Sequence, residues 1–305
     1  MSSKSAVSAV IPHYGESAPT MKLIEKLQQQ TFDGEIEIIV SDDNSPEPFP
    51  QVGGVKVVHR TANGGFGTNV NTGAEQATGE WLMILNSDLE LSSTFVEEML
   101  NVVEKQAKPA IFSPQVVGHE GEAQWVARKF PSTFIHAWNW FTPVARFRDT
   151  NWWHRLAGHD VRAVGGKTLT VDWLMGACLM LPTRIFQEVG GFDERFFMNS
   201  EEVDLQKRLR DRGYPAIFLG DVMVTHEGGG SSESTKRRQW LTTSHFMYEA
   251  KWNKHRILAP TLIAVSLLNF GFNAARSLKN KEVHPLKTFA DELKIIREGK
   301  KMVHG

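Results

Sequence analysis

The 305-residue sequence predicts an α/β fold in which a mostly parallel, doubly wound sheet is flanked by helices and followed by a helical extension. Three observations predict it. Short apolar runs alternate with segments of helical period through the first 110 residues or so. Each run stops at a cluster of polar or turn-forming residues, as strands do when their ends carry ligand loops. Finally, the charge divides the chain in two: from Lys236 onward there are 14 Lys and Arg against five Asp and Glu, and before it 20 against 30.

Residues 6–11 form an apolar run that Pro12 ends, and residues 35–40 a second one ended by Ser-Asp-Asp-Asn-Ser. Both read as buried parallel strands. Between them Met21, Ile24 and Leu27 keep helical spacing over residues 20–30, with Pro19 placed to start the helix. Residues 55–58 and 81–85 repeat the strand signal around a helix over about 67–78, and residues 95–105 read as a further helix. The stretch from there to about Lys167 is rich in Trp, His and Phe and follows no period, which suits substrate loops. Residues 171–181 are strand-like, 201–212 helical, and 216–219 and 222–225 short strands.

Hydrophobic content of 41% and charged content of 23% are ordinary for a globular protein and exclude wholesale disorder. The single cysteine, Cys178, excludes an intrachain disulfide, and its setting in Leu-Met-Gly-Ala-Cys-Leu-Met reads as a buried strand residue and not a nucleophile. The opening Met-Ser-Ser-Lys-Ser-Ala-Val lacks the apolar core of a secretory signal, so the expected location is the cytoplasm. The basic extension could meet nucleic acid or anionic lipid, or be the solvated face of ordinary helices. Its apolar content points to lipid. Residues 257–272 are strongly apolar, contain Pro260, Ser266, Asn269 and Gly271, and fall short of the roughly 20 residues that span a bilayer. Attachment at the membrane interface is expected, with no nucleic-acid partner; a helical cap or a contact between two copies of the chain is the alternative.

Four polar clusters follow the apolar runs. Asp42 and Asp43 sit at a strand end, where a carboxylate can accept from a pyrimidine imide or ribose hydroxyls, or can cap a turn. Asn63-Gly-Gly-Phe-Gly-Thr-Asn69 joins a strand to a helix; Gly64, Gly65 and Gly67 let backbone approach a ligand, but lack the spacing of a dinucleotide fingerprint, and no P-loop lysine follows. Asn86-Ser87-Asp88 ends the 81–85 run, with Asn86 and Asp88 on one side because strand side chains repeat every two residues. Such oxygens can hold magnesium or manganese, which bridges diphosphate oxygens. Glu201, Glu202 and Asp204 open a helix, where acids complement the dipole; like charges this close also raise one another's pKa, which suits a general base. His226 ends a short strand before Glu227-Gly-Gly-Gly-Ser-Ser and can ligate a divalent metal or bond a phosphate.

In this order the clusters resemble family 2 of the inverting glycosyltransferases, whose Rossmann-like catalytic domain is called GT-A. The likeness covers about residues 5–232. Its most specific block runs from Trp173-Leu-Met-Gly-Ala-Cys-Leu-Met-Leu-Pro through Val189-Gly-Gly-Phe-Asp-Glu-Arg-Phe-Phe-Met to Glu201-Glu-Val-Asp-Leu, Arg208 and Gly213-Tyr. The chain is similar in particular to bacterial rhamnosyltransferases and galactofuranosyltransferases of cell-wall and surface-polysaccharide assembly. The resemblance implies a GT-A domain over residues 1–235, with a nucleotide-sugar half to about 110 and an acceptor half beyond, and a basic amphipathic tail over 236–305. It implies that Pro12, Asp42 and Asp43 line the nucleotide site and that Asn63 to Asn69 close around nucleotide and ribose.

Asn86-Ser87-Asp88 stands where the family has Asp-x-Asp, so Asp88 would be the metal ligand, with His226 near metal and diphosphate. Glu202 stands at the place of the base, usually Asp, with Glu201 as the second candidate. Trp173 and Gly176 would border the sugars, and Asp204 would support them. The implied reaction is one in-line displacement from a nucleotide-sugar donor, dTDP-rhamnose leading and UDP-sugars following, to a glycan or polyprenyl-diphosphate-linked saccharide. Lys236, Arg237, Arg238, Lys251, Lys254 and Arg256 would attract anionic headgroups, and Trp240, Phe246, Trp252 and residues 257–272 would enter the interface, at the cytoplasmic face of the plasma membrane. A sugar nucleotidylyltransferase and a non-catalytic glycan-binding or scaffolding relative are the rival readings.

Overall fold

The computed structural model describes residues 6–226, 234–253 and 256–303. In chain order its elements are β1 (Val7–His13), α1 (Ser17–Gln28), β2 (Ile36–Asp42), β3 (Val55–His59), α2 (Phe66–Ala74), β4 (Trp81–Leu85), β5 (Leu89–Glu90), α3 (Phe95–Val103), β6 (Ile111–Val117) and β7 (Ala127–Arg128). They continue as α4 (Thr133–Trp140), α5 (Asn151–Leu156), β8 (Thr168–Val171), β9 (Trp173–Leu174), β10 (Cys178–Pro182), α6 (Thr183–Glu188), α7 (Glu201–Asp211) and β11 (Ala216–His226). The last helices are α8 (Ser234–Tyr248), α9 (Leu258–Ser277) and α10 (Pro285–Lys301). Two compact units result: 1–128 with 162–197 and 201–230, and 129–161 with 198–200 and 231–305. Where the sequence suggested one division near residue 235, residues 129–161 join the unit that holds the C-terminal helices.

The first unit is built on a nine-stranded sheet among the described residues, ordered β3-β2-β1-β4-β10-β6-β11-β5, with β8 added to β11. β1 to β4 pair in parallel, β10 runs antiparallel to both β4 and β6, and β6 is parallel to β11. β6 and β11 therefore run the same way as β4, and the C-terminal ends of β1, β2, β4, β6 and β11 share one edge. Chemistry placed at the end of any of these strands arrives at that edge. Val10, Ile11, Ile39, Val40, Leu82, Ile84, Leu179 and Leu181 are fully buried in the sheet's core. Cys178 is buried with them, and burial pushes its thiol far up from the ordinary range, as expected of a strand residue that is no nucleophile.

Three local readings are corrected by pairing. Pro12 does not end β1: the strand continues to His13, with Pro12 opposite Ser41 of β2. β4 pairs with β1 only as far as Val10, so the missing N–H of Pro12 costs no ladder bond on that side. The expected strands at 216–219 and 222–225 are one strand, β11, with a register shift between Leu219 and Met223. Residues 171–181 are the reverse case, divided among β8, β9 and β10. Four strands were not read from the sequence, the short β5 and β7, most of β8, and the seven-residue β6. Pro114 interrupts its pattern, yet Pro114 pairs with Leu219 where β11 shifts, a place that tolerates a missing donor.

The second unit is helical. Trp140, Phe246, Leu258, Leu262, Ile295 and Ile296 form its core. A buried polar network runs through it: Trp140 Nε1 donates to Ser266 Oγ at 2.8 Å, and Asn269 Nδ2 donates to Trp140 O at 3.0 Å. Asn269 Oδ1 accepts from Thr142 N at 3.1 Å, and Arg238 donates to the buried Glu292 at 3.1 Å. Ser266 and Asn269, which the sequence offered as interruptions of an apolar segment, are thus internal partners of the neighbouring helix. α9 is 20 residues long, longer than the apolar run suggested, and by length and composition alone could cross a membrane. Phe246, expected at a membrane interface, lies in this core. Residues 227–233 and Lys254 lie outside the described residues.

Candidate active site

At the end of β2 the two aspartates do different work. Asp42 is buried; its Oδ1 accepts from Ser45 N and its Oδ2 from Phe49 N, both at 3.0 Å, with His59 Nδ1 3.1 Å from Oδ2. Burial disfavours its charge, but the hydrogen bonds from Ser45, Phe49 and His59 outweigh this and hold its pKa below the ordinary value. Its carboxylate therefore shapes the 43–49 turn. Asp43 instead reaches the glycine turn, accepting from Gly64 N at 2.9 Å and Gly65 N at 2.8 Å, and from Arg60 Nε at 2.8 Å. Arg60 also bonds Thr68 O and the Thr72 hydroxyl of α2, so one ion pair fixes both the turn and the helix after it.

The glycines are required by packing. Gly65 adopts φ +82°, and a Cβ there would lie 1.8 Å from Phe197 O; one at Gly67 would meet Phe192 at 2.9 Å and Glu201 at 3.4 Å. Gly65→Ala should therefore destabilise the first unit by about 3 kcal/mol or more, from left-handed strain plus overpacking. Thermal unfolding checks it, and a melting temperature within one degree of wild type would contradict this account of the turn. Asn69 Nδ2 donates to His13 O at 3.3 Å, tying α2 to the end of β1, whereas Asn63 is exposed. The turn is thereby packed against Phe192, Phe197 and Glu201, the last of which opens the acidic helix.

That helix is α7. Glu201 is buried beneath Gly67, while Glu202 is partly exposed and stands beside Gly176, where a Cβ would lie 3.7 Å from both Cβ and Cγ of Glu202. Gln206, one turn on, is buried: Leu174 N donates to its Oε1 at 2.7 Å, and its Nε2 donates to Leu174 O at 2.7 Å and to Glu202 O at 3.0 Å. An amide that pairs with both backbone groups of Leu174 clamps α7 to β9 and fixes the position of Glu202. Asp204, expected to support the sugars, is fully buried; it accepts from Arg208 Nε at 2.8 Å, and Arg208 donates to Val189 O and Gly191 O. Its contribution is to hold the 189–191 turn. Trp173 is also buried, with the Arg128 guanidinium 5.4 Å above its ring, so that face is covered by protein.

Strand pairing assembles the remaining pair. β11 is antiparallel to β5 with His226 opposite Leu89, which brings its imidazole to Asp88. Asp88 Oδ1 lies 3.2 Å and Asn86 Nδ2 3.3 Å from His226 Nε2. Asn86 N donates to Ala177 O at 2.9 Å, linking this corner to the Gly176 loop beside Glu202. Gln124 sets the tautomer: its Nε2 donates to His226 O at 2.7 Å, which turns Oε1 toward Nδ1 at 2.6 Å and requires the proton on Nδ1. The Nε2 lone pair then faces the Asp88 carboxylate. One oxygen and one nitrogen lone pair 3.2 Å apart suit a shared divalent cation, manganese or magnesium. Among the described residues no cluster of three His, Cys, Asp or Glu is present, so such a cation would need further oxygens, as a bound diphosphate supplies.

The Asp43-pinned glycine turn, α7, the Gly176 loop, Asn86 to Asp88 and His226 are thus linked neighbour to neighbour along one sheet edge, where β1 also ends at Pro12 and His13. A cavity of about 690 Å³ lies elsewhere, lined by Thr78, Trp81, Lys108 and Arg184 where β4 begins, away from these groups. Gln124, Arg128 and Gln206 were not foreseen. No sequence signal distinguishes them from ordinary surface polar residues; strand pairing for Arg128 and side-chain bonds to distant backbone for Gln124 and Gln206 give them their places.

Comparison with known proteins agrees with this architecture. Residues 8–164 match the model of glycosyl transferase family 2, and the chain belongs to that family. It is 25% identical over 216 residues, 65% of this chain and 68% of the relative, to an N-acetylglucosaminyl-diphospho-decaprenol L-rhamnosyltransferase of Mycobacterium tuberculosis. It is also 25% identical over 242 residues, 76% of this chain but 18% of the relative, to the O-antigen biosynthesis protein RfbC of Myxococcus xanthus. A mannosyltransferase from Pyrobaculum calidifontis, solved with GDP-Man and Mn2+, superposes with a TM-score of 0.60 at 14% identity, covering 98% of this chain and 86% of that one. GalNAc-T7, solved with UDP, GalNAc and Mn2+, gives 0.56 at 15% identity, covering 83% and 49%. The fold is GT-A, and the protein is a glycosyltransferase.

Proposed function

We propose that this glycosyltransferase moves a sugar from a nucleoside-diphosphate donor to a hydroxyl of a saccharide acceptor, inverting the anomeric carbon. The observation that carries this is that the Asp88–His226 pair is tied through Asn86 N and Ala177 O to the Gly176 loop beside Glu202, on the sheet edge that the Asp43-pinned glycine turn borders. Asp88 and His226 would hold magnesium or manganese, which when bound neutralises charge on a diphosphate leaving group. Glu202 takes the proton of the acceptor hydroxyl as its oxygen attacks the anomeric carbon from the face opposite the departing diphosphate. The bond to the diphosphate breaks with its electron pair, and no covalent sugar–enzyme intermediate forms. Glu201, buried beneath Gly67, is the lesser candidate for this role because a base must reach substrate.

dTDP-rhamnose is the favoured donor and a polyprenyl-diphosphate-linked saccharide the favoured acceptor, in cell-wall or surface-polysaccharide assembly. The support is the mycobacterial relative, whose name specifies both rhamnosyl transfer and a diphospho-decaprenol. Purified chain incubated with dTDP-rhamnose, UDP-galactofuranose or UDP-glucose should release nucleoside diphosphate only with Mg2+ or Mn2+ present. If no nucleotide sugar is turned over or shifts the melting temperature, the non-catalytic reading prevails; formation of nucleotide sugar from nucleoside triphosphate would support a nucleotidylyltransferase.

The reading places the enzyme at the cytoplasmic face of the plasma membrane. α9 turns its polar Ser266 and Asn269 inward, while Pro260, Ile263, Ala264, Leu267, Leu268 and Phe272 are exposed along the opposite side. Leu258, Ala259 and Leu262 are buried in the core, so α9 is apolar on both sides, and the exposed stripe is unpartnered among the described residues. Arg256 precedes it, and Arg276, Lys279 and Lys281 follow, giving the basic flanks that favour an anionic lipid surface. Sedimentation with phosphatidylcholine vesicles containing phosphatidylglycerol should carry the protein down at low salt, and changing Leu267, Leu268 and Phe272 to Ser should release it by at least about 10-fold. Wild-type protein that stays in the supernatant as a dimer would show a second copy on the stripe instead.

A further inference from the structure

Arg128 is the unassigned cation of the site. It ends β7, paired with Trp173 of β9. Its Nε donates to Trp125 O at 3.0 Å, and its Nη2 makes a weak 3.7 Å contact with Met175 Sδ. Among the described residues no carboxylate or carbonyl accepts from Nη1, and Glu202 acts on the guanidinium through space. Apart from the weak Met175 contact, the outer fork, two parallel NH2 groups, is thus open among the described residues, while the inner nitrogen is anchored and the plane lies over an indole. A guanidinium held this way is preorganised for an end-on, bidentate oxyanion.

The anchor is itself unusual. Trp125, whose carbonyl receives Nε, sits at φ 52°, a left-handed conformation uncommon for a bulky side chain. The adjacent Gln124 orients His226, so the segment 124–128 serves both the proposed metal corner and the neighbourhood of the base. Burial lowers the guanidinium pKa somewhat, with Glu202 opposing; Arg128 still remains charged at any working pH. A partly buried cation with no bonded counter-ion among the described residues invites an anion from solution.

We infer that the open fork of Arg128 receives a phosphate carried by the acceptor, seating that substrate next to Glu202. The inference rests on the function proposed above, in which Asp88 and His226 serve the donor diphosphate and Glu202 the acceptor hydroxyl. Arg128 is then a specificity residue: it separates phosphate-linked saccharides from neutral glycosides of the same sugar. It binds and does not take part in proton transfer.

The test uses the full chain saturated with UDP or dTDP and Mn2+, titrated with farnesyl diphosphate and, separately, with inorganic phosphate, and followed by tryptophan fluorescence, since Trp173 lies under the fork. Farnesyl diphosphate should bind without displacing the nucleotide. Arg128→Met should weaken it roughly 10- to 100-fold, the worth of a charge-assisted bidentate contact, and leave nucleotide affinity within about twofold. Arg128→Lys, which keeps charge and bulk but loses the fork, should fall between, and it serves if the Met variant does not fold. Unchanged farnesyl diphosphate affinity in both variants, or equal loss of nucleotide affinity, would overturn the assignment. Equal affinity for inorganic phosphate and farnesyl diphosphate would overturn the acceptor as the source of the phosphate. Failure of wild-type protein to bind either nucleotide with Mn2+ would instead sink the functional reading beneath it.

Discussion

Glu202→Gln should lower sugar transfer by about 10²- to 10⁴-fold, the usual worth of a positioned general base, while the variant still binds nucleotide and metal. The substitution keeps shape and removes the proton acceptor. Glu202 lies beside Gly176 and is partly exposed, whereas Glu201 is buried under Gly67, so Glu201→Gln should act chiefly on stability. Single-turnover transfer and a melting curve for each variant separate the two. Activity retained in the Glu202 variant and lost in the Glu201 variant would move the base by one residue. Because the Gln206 amide bonds Leu174 on both backbone groups as well as Glu202 O, Glu202 is held by the fold before substrate arrives. Such preorganisation lets a single carboxylate have so large an effect.

Asp88→Ala should abolish the stabilisation that Mn2+ plus nucleoside diphosphate gives the protein and reduce turnover by at least about 100-fold, the scale of several kcal/mol of lost leaving-group stabilisation. His226→Ala should do the same less severely, since a nitrogen ligand adds no charge to the pair. Gln124→Leu should mimic His226→Ala in part, because it removes the acceptor that holds the proton on Nδ1. Differential scanning with and without Mn2+ reads all three. A metal-dependent shift that survives in the Asp88 variant would place the cation elsewhere. Asn86 Nδ2 lies 3.3 Å from the same His226 Nε2, so a cation bound there would displace this contact and leave Asp88 as the carboxylate of the corner.

Much of this was legible before any coordinates. β1, β2 and β4 announce themselves because a buried strand must be continuously apolar, and that is a local property of six or seven residues. Asp43 and the glycines of residues 64–67 were legible for a similar reason: a strand-to-helix turn with several glycines has few backbone solutions. For Asp42 the sequence left nucleotide contact and turn capping open; its carboxylate caps the 43–49 turn while that of Asp43 faces the glycine turn, a division that only the fold reveals. β6 escaped notice because Pro114 breaks its pattern, and its tolerance depends on a register shift in a strand about a hundred positions later. Likewise the stretch 129–161 looked like loops because its helices are short and α4 packs on α9, which the local pattern does not reveal.

By itself the sequence determined the fold class, the family, the order of the polar clusters and the identity of the acids, because each of these rests on short-range period or on residues contiguous in the chain. Only the tertiary structure decided which of those acids face one another. His226 meets Asp88 because an antiparallel pairing sets it opposite Leu89, and Glu202 stands beside Gly176 because a buried amide clamps its helix to β9. Both depend on contacts between residues far apart in sequence, and a hydrogen bond between distant segments leaves no trace in the composition of either. Arg128 is the clearest instance: as a letter in the chain it is one of many cations, and only the strand pairing that lays it over Trp173 sets its open fork near the carboxylate of Glu202.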